Sequence, residues 1–371
     1  MDKTKEFIDR EFENILLFAK KIASIPSPTF FEKDKGRFIK EQLEAIGLQG
    51  VQIDEVGNVI VGFKGLSSRE IIFSAHMDTV FPISAHLEQK EDEKHIFCPG
   101  ICDNAIGVSS LFFLSKYIFM HKLPLRCPLT LVFNVCEEEL GNLKGIRHFF
   151  GHREIKNVAG HICIEGHQIG RLTTKAVGNV RLSIRIKAEG GHSWRDFGNP
   201  NAVVLAAALI MELMKIEIPQ TPKTTLHTGI FSGGTSINSI PSEAAFSVEV
   251  RSSIQGIIDS LCKKITDVIG GFNSKGCEVL LSKLGERPCG ATTDKGFINI
   301  VRDAQKMAGI EPEEDMGSTD SNYPMSKGIP SITIGITKGS KTHTDKEYLE
   351  KEPIRKGFQQ LISIAEAFEA G

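Results

Sequence analysis

The chain of 371 residues has almost no charge imbalance: 44 Lys and Arg stand against 46 Asp and Glu, for a net charge of −2. A protein that grips nucleic acid or an anionic membrane needs a basic excess, and none is present. Long apolar runs are missing too. A stretch such as AAALIMELM falls well short of a membrane span. The amino-terminal segment MDKTKEFIDREFENILLFAKK has no uninterrupted apolar core, so it is expected to be mature structure rather than a signal peptide. No pair of cysteines shows CxxC spacing, although eight cysteines are present. Several lie within apolar runs (Cys136, Cys163), so they read as reduced, mostly buried thiols of a cytoplasmic protein. No internal repeat or low-complexity tract is visible.

At this length two domains are expected rather than one. The amino-terminal segment carries a helical pattern (Phe7, Ile8, Phe12, Ile15, Leu16, Ala19), and EKDKGRFIKEQLEAIG predicts a second helix ending at Gly47. Short apolar runs follow: VGNVIVGF, EIIFSAHMD, LTLVFNV, HICIEG and, much later, PSITIGI. Helical patterns such as AIGVSSLFFLSKYIFMHKL alternate with them. That alternation predicts an α/β layer with a mixed, largely parallel sheet flanked by helices. Between about residues 173 and 284 the strands alternate more cleanly, in the order β-α-β-β-α-β of a ferredoxin-like unit. The expected division is therefore 1–172 and 285–371 as one domain, with 173–284 inserted.

Candidate chemistry gathers at the ends of the apolar strands. EIIFSA ends in His76-Met77-Asp78, and a carboxylate two residues from an imidazole can fix its tautomer. GICDNAIGV carries Asp103 just before a helix, where capping is the ordinary role of an aspartate. LTLVFNV runs into three consecutive glutamates, Glu137, Glu138 and Glu139; HICIEG ends in Glu165, and His343 follows PSITIGI. Two imidazoles and several carboxylates form the donor set of a two-zinc hydrolytic site. So much negative charge is tolerable where cations sit within it.

These motifs resemble the di-zinc metallopeptidases and deacylases, the family of glutamate carboxypeptidase, tripeptide aminopeptidase, acetylornithine deacetylase, succinyl-diaminopimelate desuccinylase and aminoacylase. SAHMDTVFP matches the family's first histidine motif, GICDNAIGV its Gly-x-x-Asp segment, and FNVCEEELG its strand ending in Asp-Glu-Glu. KTHTDKE resembles its His-Thr-x-x-x-Glu ending, while GGHSWRDFGNPNAV and GTSINSIPSEAAFSVEVRS resemble its inserted domain. The resemblance runs through almost the whole chain in the right order. It implies a phosphorylase/hydrolase-like catalytic domain with an inserted lid and dimerisation domain.

By position, the resemblance implies His76 and Glu165 on one Zn2+, Glu138 and His343 on the other, and Asp103 between both; Co2+ or Mn2+ are possible substitutes. Asp78 would orient His76, and Glu137 would be the general base. His192 matches an oxyanion-stabilising histidine, Arg251 a clamp for a substrate carboxylate, and Asn238 and Thr319 positions near the substrate. A homodimer through the inserted domain is also implied. Where the family usually has Asp, this chain has Cys136; Cys102 and Asn104 around Asp103 are further departures. A second register, matching Leu140-Gly141 to the family loop, would shift the working pair to Glu138 and Glu139. The expected activity is hydrolysis of an amide bond in a small peptide, or alternatively in an N-acyl amino acid. The rival from another class is a binding or scaffold protein on the same fold that has lost the chemistry.

Overall fold

The structure is a computed structural model describing residues 3–273 and 276–368. It divides into two compact units, one of Met1–Ala176 with Ala291–Gly371, the other of Val177–Gly290. Both breaks fall outside the long strands. A cut at 172/173 would sever the strand Arg171–Ala176, which pairs with Ser331–Gly335 and Glu313–Gly317 in the first unit. A cut at 284/285 would likewise split the strand Cys277–Arg287 of the second.

In the first unit four strands make the parallel centre, in the order Leu129–Asn134, Glu70–His76, Val158–Glu165, Ser331–Gly335. Antiparallel strands flank it, Val59–Phe63 on one side and Arg171–Ala176 on the other. Every residue of LTLVFN and of SITIG is buried. Strands with no polar face belong where helices cover both sides, since each buried Leu, Ile or Phe contributes about 1.5–3 kcal/mol. Alternate residues divide between the two layers. Ile71, Phe73, Leu131 and Phe133 pack with the helices Lys3–Ala23, Ile106–His121 and Ile354–Glu366. Ile72 and Val132 face the helix Lys144–Gly151 on the other side. The helix Lys33–Ala45 ends just before Gly47, whose φ of +97° suits glycine.

Parallel strands bring their carboxyl ends to one edge. His76 lies level with Asn134 and Gly335 with Glu165, so the residues following each strand emerge side by side.

The second unit is an antiparallel sheet in the order Thr225–Gly233, Glu243–Ser252, Gly178–Ala188, Cys277–Arg287. The helices Ala202–Leu213 and Gln255–Gly270 cover one face, onto which Ile184, Ile186, Phe246, Val248 and Val250 point. This is the ferredoxin-like order the alternation predicted. Asn201 caps the first helix, its side chain accepting from the amides of Val203 and Val204 at 3.0 and 3.2 Å.

Candidate metal centre

His76, at the end of its strand, is buried among acceptors. Its Nδ1 lies 3.1 Å from the carbonyl oxygen of Asp78 and 3.5 Å from that residue's carboxylate. A carbonyl can only accept, so Nδ1 carries a proton and Nε2 is left to face Asp103 Oδ1 at 3.1 Å and Glu165 Oε2 at 3.6 Å. The other oxygen of Asp103 stands 3.3 Å from His343 Nε2, which also contacts Glu138 Oε1 at 3.1 Å. Asp103 thus presents one oxygen to each imidazole. It caps no helix. Two donor sets, His76–Asp103–Glu165 and Asp103–Glu138–His343, each draw donor atoms within 4.8 Å of one another and share that aspartate.

Asp78 ties this arrangement to the glutamate run. Its two oxygens accept the backbone amides of Glu137 at 2.9 Å and Glu138 at 2.8 Å, and the Thr29 hydroxyl at 2.9 Å. Glu137 and Glu138 are buried, whereas Glu139 is exposed with a φ of +42°. A third set, His76–Glu137–Glu138, brings Glu137 beside the same cluster. The strand end therefore turns two of the three glutamates inward.

The electrostatics reflect this crowding. Two carboxylates about 5 Å apart repel by about 3 kcal/mol at an effective dielectric of about 20. Burial opposes a charged imidazole, yet hydrogen bonds to Asp103, Asp78 and Glu165 outweigh it and hold His76 well above its usual value. His343, bonded to Asp103 and Glu138, is pushed up to about 11. Burial would raise Asp103, but His343 and His76 keep it well below the usual carboxylate range. Glu138 is driven up to about 8 by burial and the charge of Asp103, and Asp320 well above its usual value by burial and Glu137. Carboxylate oxygens and imidazole Nε2 atoms converging in this way fit a pair of divalent cations.

Other residues are placed less openly or elsewhere. Thr319 is buried, its hydroxyl 2.7 Å from that of Thr333. In the second unit His192 is exposed, and its Nδ1 accepts the backbone amides of Trp194 at 3.2 Å and Arg195 at 3.5 Å. With Nδ1 accepting, the ring proton falls to Nε2. The Asn238 carbonyl accepts from the Ser193 amide at 3.0 Å, joining that loop to His192's. Arg251 is partly exposed and bidentate on Glu249 at 2.6 and 3.0 Å.

Besides Glu11 of the first helix, Glu32, Asp320 and Glu347 are buried carboxylates to which the sequence motifs assign no role. Glu32 Oε1 accepts the Cys136 amide at 3.0 Å and meets its thiol at 3.5 Å, so the family's usual aspartate is replaced by a thiol resting on a neighbouring acid. Asp320 accepts from Asn134 at 2.6 Å. Each stands in a turn rich in polar residues, where nothing local marks a buried charge. For Glu347 the one signal was its place inside KTHTDKE.

Residues 72–367 match peptidase family M20/M25/M40. The chain is 22% identical to succinyl-diaminopimelate desuccinylase of Corynebacterium glutamicum, over 91% of this chain and 92% of that one. It is 23% identical to carboxypeptidase G2 of a Pseudomonas species, over 85% and 79% of the two chains. Among solved structures, a tripeptidase from Staphylococcus aureus superposes with a TM-score of 0.79 at 20% identity, covering 96% of this chain and 98% of the other.

Proposed function

The chain belongs to peptidase family M20/M25/M40, a family of metal-dependent hydrolases, and from that premise we propose that it is a di-zinc exopeptidase of small peptides. The observation that carries this reading is the pair of donor sets sharing Asp103. His76 and Glu165 would hold one ion, Glu138 and His343 the other, with Asp103 bridging. Bound in this way, the ions would supply an acidified water and a polarised scissile carbonyl.

The protein's own groups do the rest. Glu137, fixed through its amide by Asp78, would accept the proton of the attacking water and hand it to the leaving nitrogen. By accepting the hydrogen bond from Nδ1–H, Asp78 leaves the Nε2 of His76 to face a cation. His192, with its ring proton on Nε2, is suited to donate to the developing oxyanion. Arg251 is suited to a substrate carboxylate, since it already grips one in Glu249.

A deacylase of N-acyl amino acids is the second reading, supported by Glu165 and by the desuccinylase among the relatives. The eight cysteines, none of them in a disulfide, support a reducing, cytoplasmic setting. No helix among the described residues is long and apolar enough to cross a membrane. A homodimer is supported by the edge strand Thr225–Gly233, which exposes Ile230 and Phe231 along an unpaired side.

The test is metal content and sedimentation of the purified chain, with chelator-sensitive cleavage of dipeptides, tripeptides and N-acyl amino acids. Two bound ions and preferred cleavage of unblocked peptides are expected. Absence of turnover with zinc, manganese and cobalt supplied would overturn the enzyme reading. Preference for N-acyl amino acids would replace the peptidase with the deacylase, and a monomer at micromolar concentration would remove the dimer.

A further inference from the structure

Glu347 is fully buried four residues beyond His343. Its Oε1 accepts the backbone amides of Cys102 and Asp103, both at 2.8 Å, and its Oε2 accepts that of Gly100 at 2.9 Å. Its own carbonyl takes the Cys98 amide at 3.1 Å, and its amide bonds the Thr344 carbonyl at 3.2 Å. One side chain thus collects three donors from the turn that presents Asp103. The same residue is anchored to the loop that presents His343.

The far side of that turn is closed by backbone. Asn104 Nδ2 donates to the Ile164 carbonyl at 2.8 Å, on the strand that ends in Glu165. A Cβ on Gly166 would sit 1.9 Å from the Cys102 carbonyl oxygen, so the two segments are in direct contact. The Asp103 turn is therefore held between the Glu165 strand and Glu347. Of these holds, only Glu347 reaches the Asp103 amide itself. Three amides converging on one carboxylate make a directional clamp, because each bond constrains the turn along a different line.

We infer that Glu347 is a positioning residue that fixes the shared aspartate relative to His343, and so sets the affinity of the site for its metal pair. The inference rests on the metal-centre reading above. Glu347 points its oxygens at backbone amides rather than into the donor cluster, so its effect passes through Asp103. Partners that orient metal ligands in this way change metal affinity by about 10- to 100-fold when removed.

The experiment is competition for zinc against a chromogenic chelator, run on the whole chain as wild type, Glu347→Ala and Glu347→Gln. Circular dichroism and thermal melting of the metal-free proteins accompany it. Glu347→Ala loses all three acceptor contacts and is expected to bind zinc about 10- to 100-fold more weakly. Glu347→Gln keeps an oxygen for Cys102 and Asp103 but turns an amide toward Gly100, so a loss of threefold or more is expected. Both variants should fold, and turnover should recover as zinc is raised. A purely structural role would lower the metal-free melting temperature and leave zinc affinity alone. A smaller than threefold change in Glu347→Gln, or failure of that variant to fold, overturns the inference. Wild type that binds no metal overturns the proposed function as well; wild-type binding with unchanged variants overturns this inference alone.

Discussion

Two regions carry the candidate chemistry, and they are built in opposite ways. At the sheet edge of the first unit, contacts join residues far apart in sequence: His343 to Glu138 across 205 positions, Glu347 to Asp103 across 244. In the second unit the side-chain contacts are local: the His192 ring accepts from amides two and three residues on, and Arg251 grips Glu249. The first network exists only in the folded chain, and burial makes each charge depend on its neighbours. The second leaves His192 exposed and Arg251 partly so. In the proposed function the first region would be preorganised for chemistry, and the second would keep the freedom that recognising varied substrates requires.

The largest expected effect probes the preorganised side. Glu137→Gln should retain metal yet lower kcat by about 10²- to 10⁴-fold, the range for a lost general base. Glu139→Gln, on the exposed side of the same run, should stay within about twofold of wild type, since surface changes away from such features are nearly neutral. The reverse outcome in steady-state kinetics would select the alternative register and move the base to Glu138 or Glu139.

A smaller effect probes the adaptable side. A charged hydrogen bond contributes about 1.5–3 kcal/mol, so Arg251→Ala should raise KM by about 10- to 150-fold for substrates ending in a free carboxylate. Amidated analogues should be spared. Equal losses on both would show that Arg251 serves the second unit's structure through Glu249 rather than the substrate.

The smallest effect concerns stability away from both regions. His161 is fully buried between the hydroxyls of Ser74 at 2.8 Å and Ser331 at 2.7 Å, and burial pushes it down to about 3. An unfolded histidine titrates near 6.5, so below that pH the unfolded chain binds the extra proton and stability falls. The loss runs from about pH 6.5 down to about 3 and amounts to a few kcal/mol at its end. His161→Gln should therefore show a flatter decline of melting temperature between pH 7 and 5 than wild type. Parallel declines would refute the assignment.

The strand-forming runs and the split order of the inserted unit could be read in advance because hydrophobic periodicity is a local property of the chain. So could the positions of His76, Asp103, Glu165 and His343, each following or preceding an apolar run. Asp103 shows the limit of that reading. An aspartate before a helix ordinarily caps it, yet here its oxygens turn to His76 and His343. Glu32 and Asp320 escape that reading for a related reason, since a lone carboxylate in a polar turn looks solvated until the partners that bury it are known, and Glu347 stands in the His-Thr motif with nothing local to show what it holds.

The sequence by itself determined the elements, the family and which residue types stand at the strand ends. Apolar runs and turn residues act on their immediate neighbours, so their meaning survives in one dimension. Only the tertiary structure decided which oxygen faces which imidazole, which glutamates turn inward, and that a buried Glu347 holds the turn of Asp103. Those are matters of distance and direction between segments remote in the chain, and they arise when parallel strands bring their ends to a common edge.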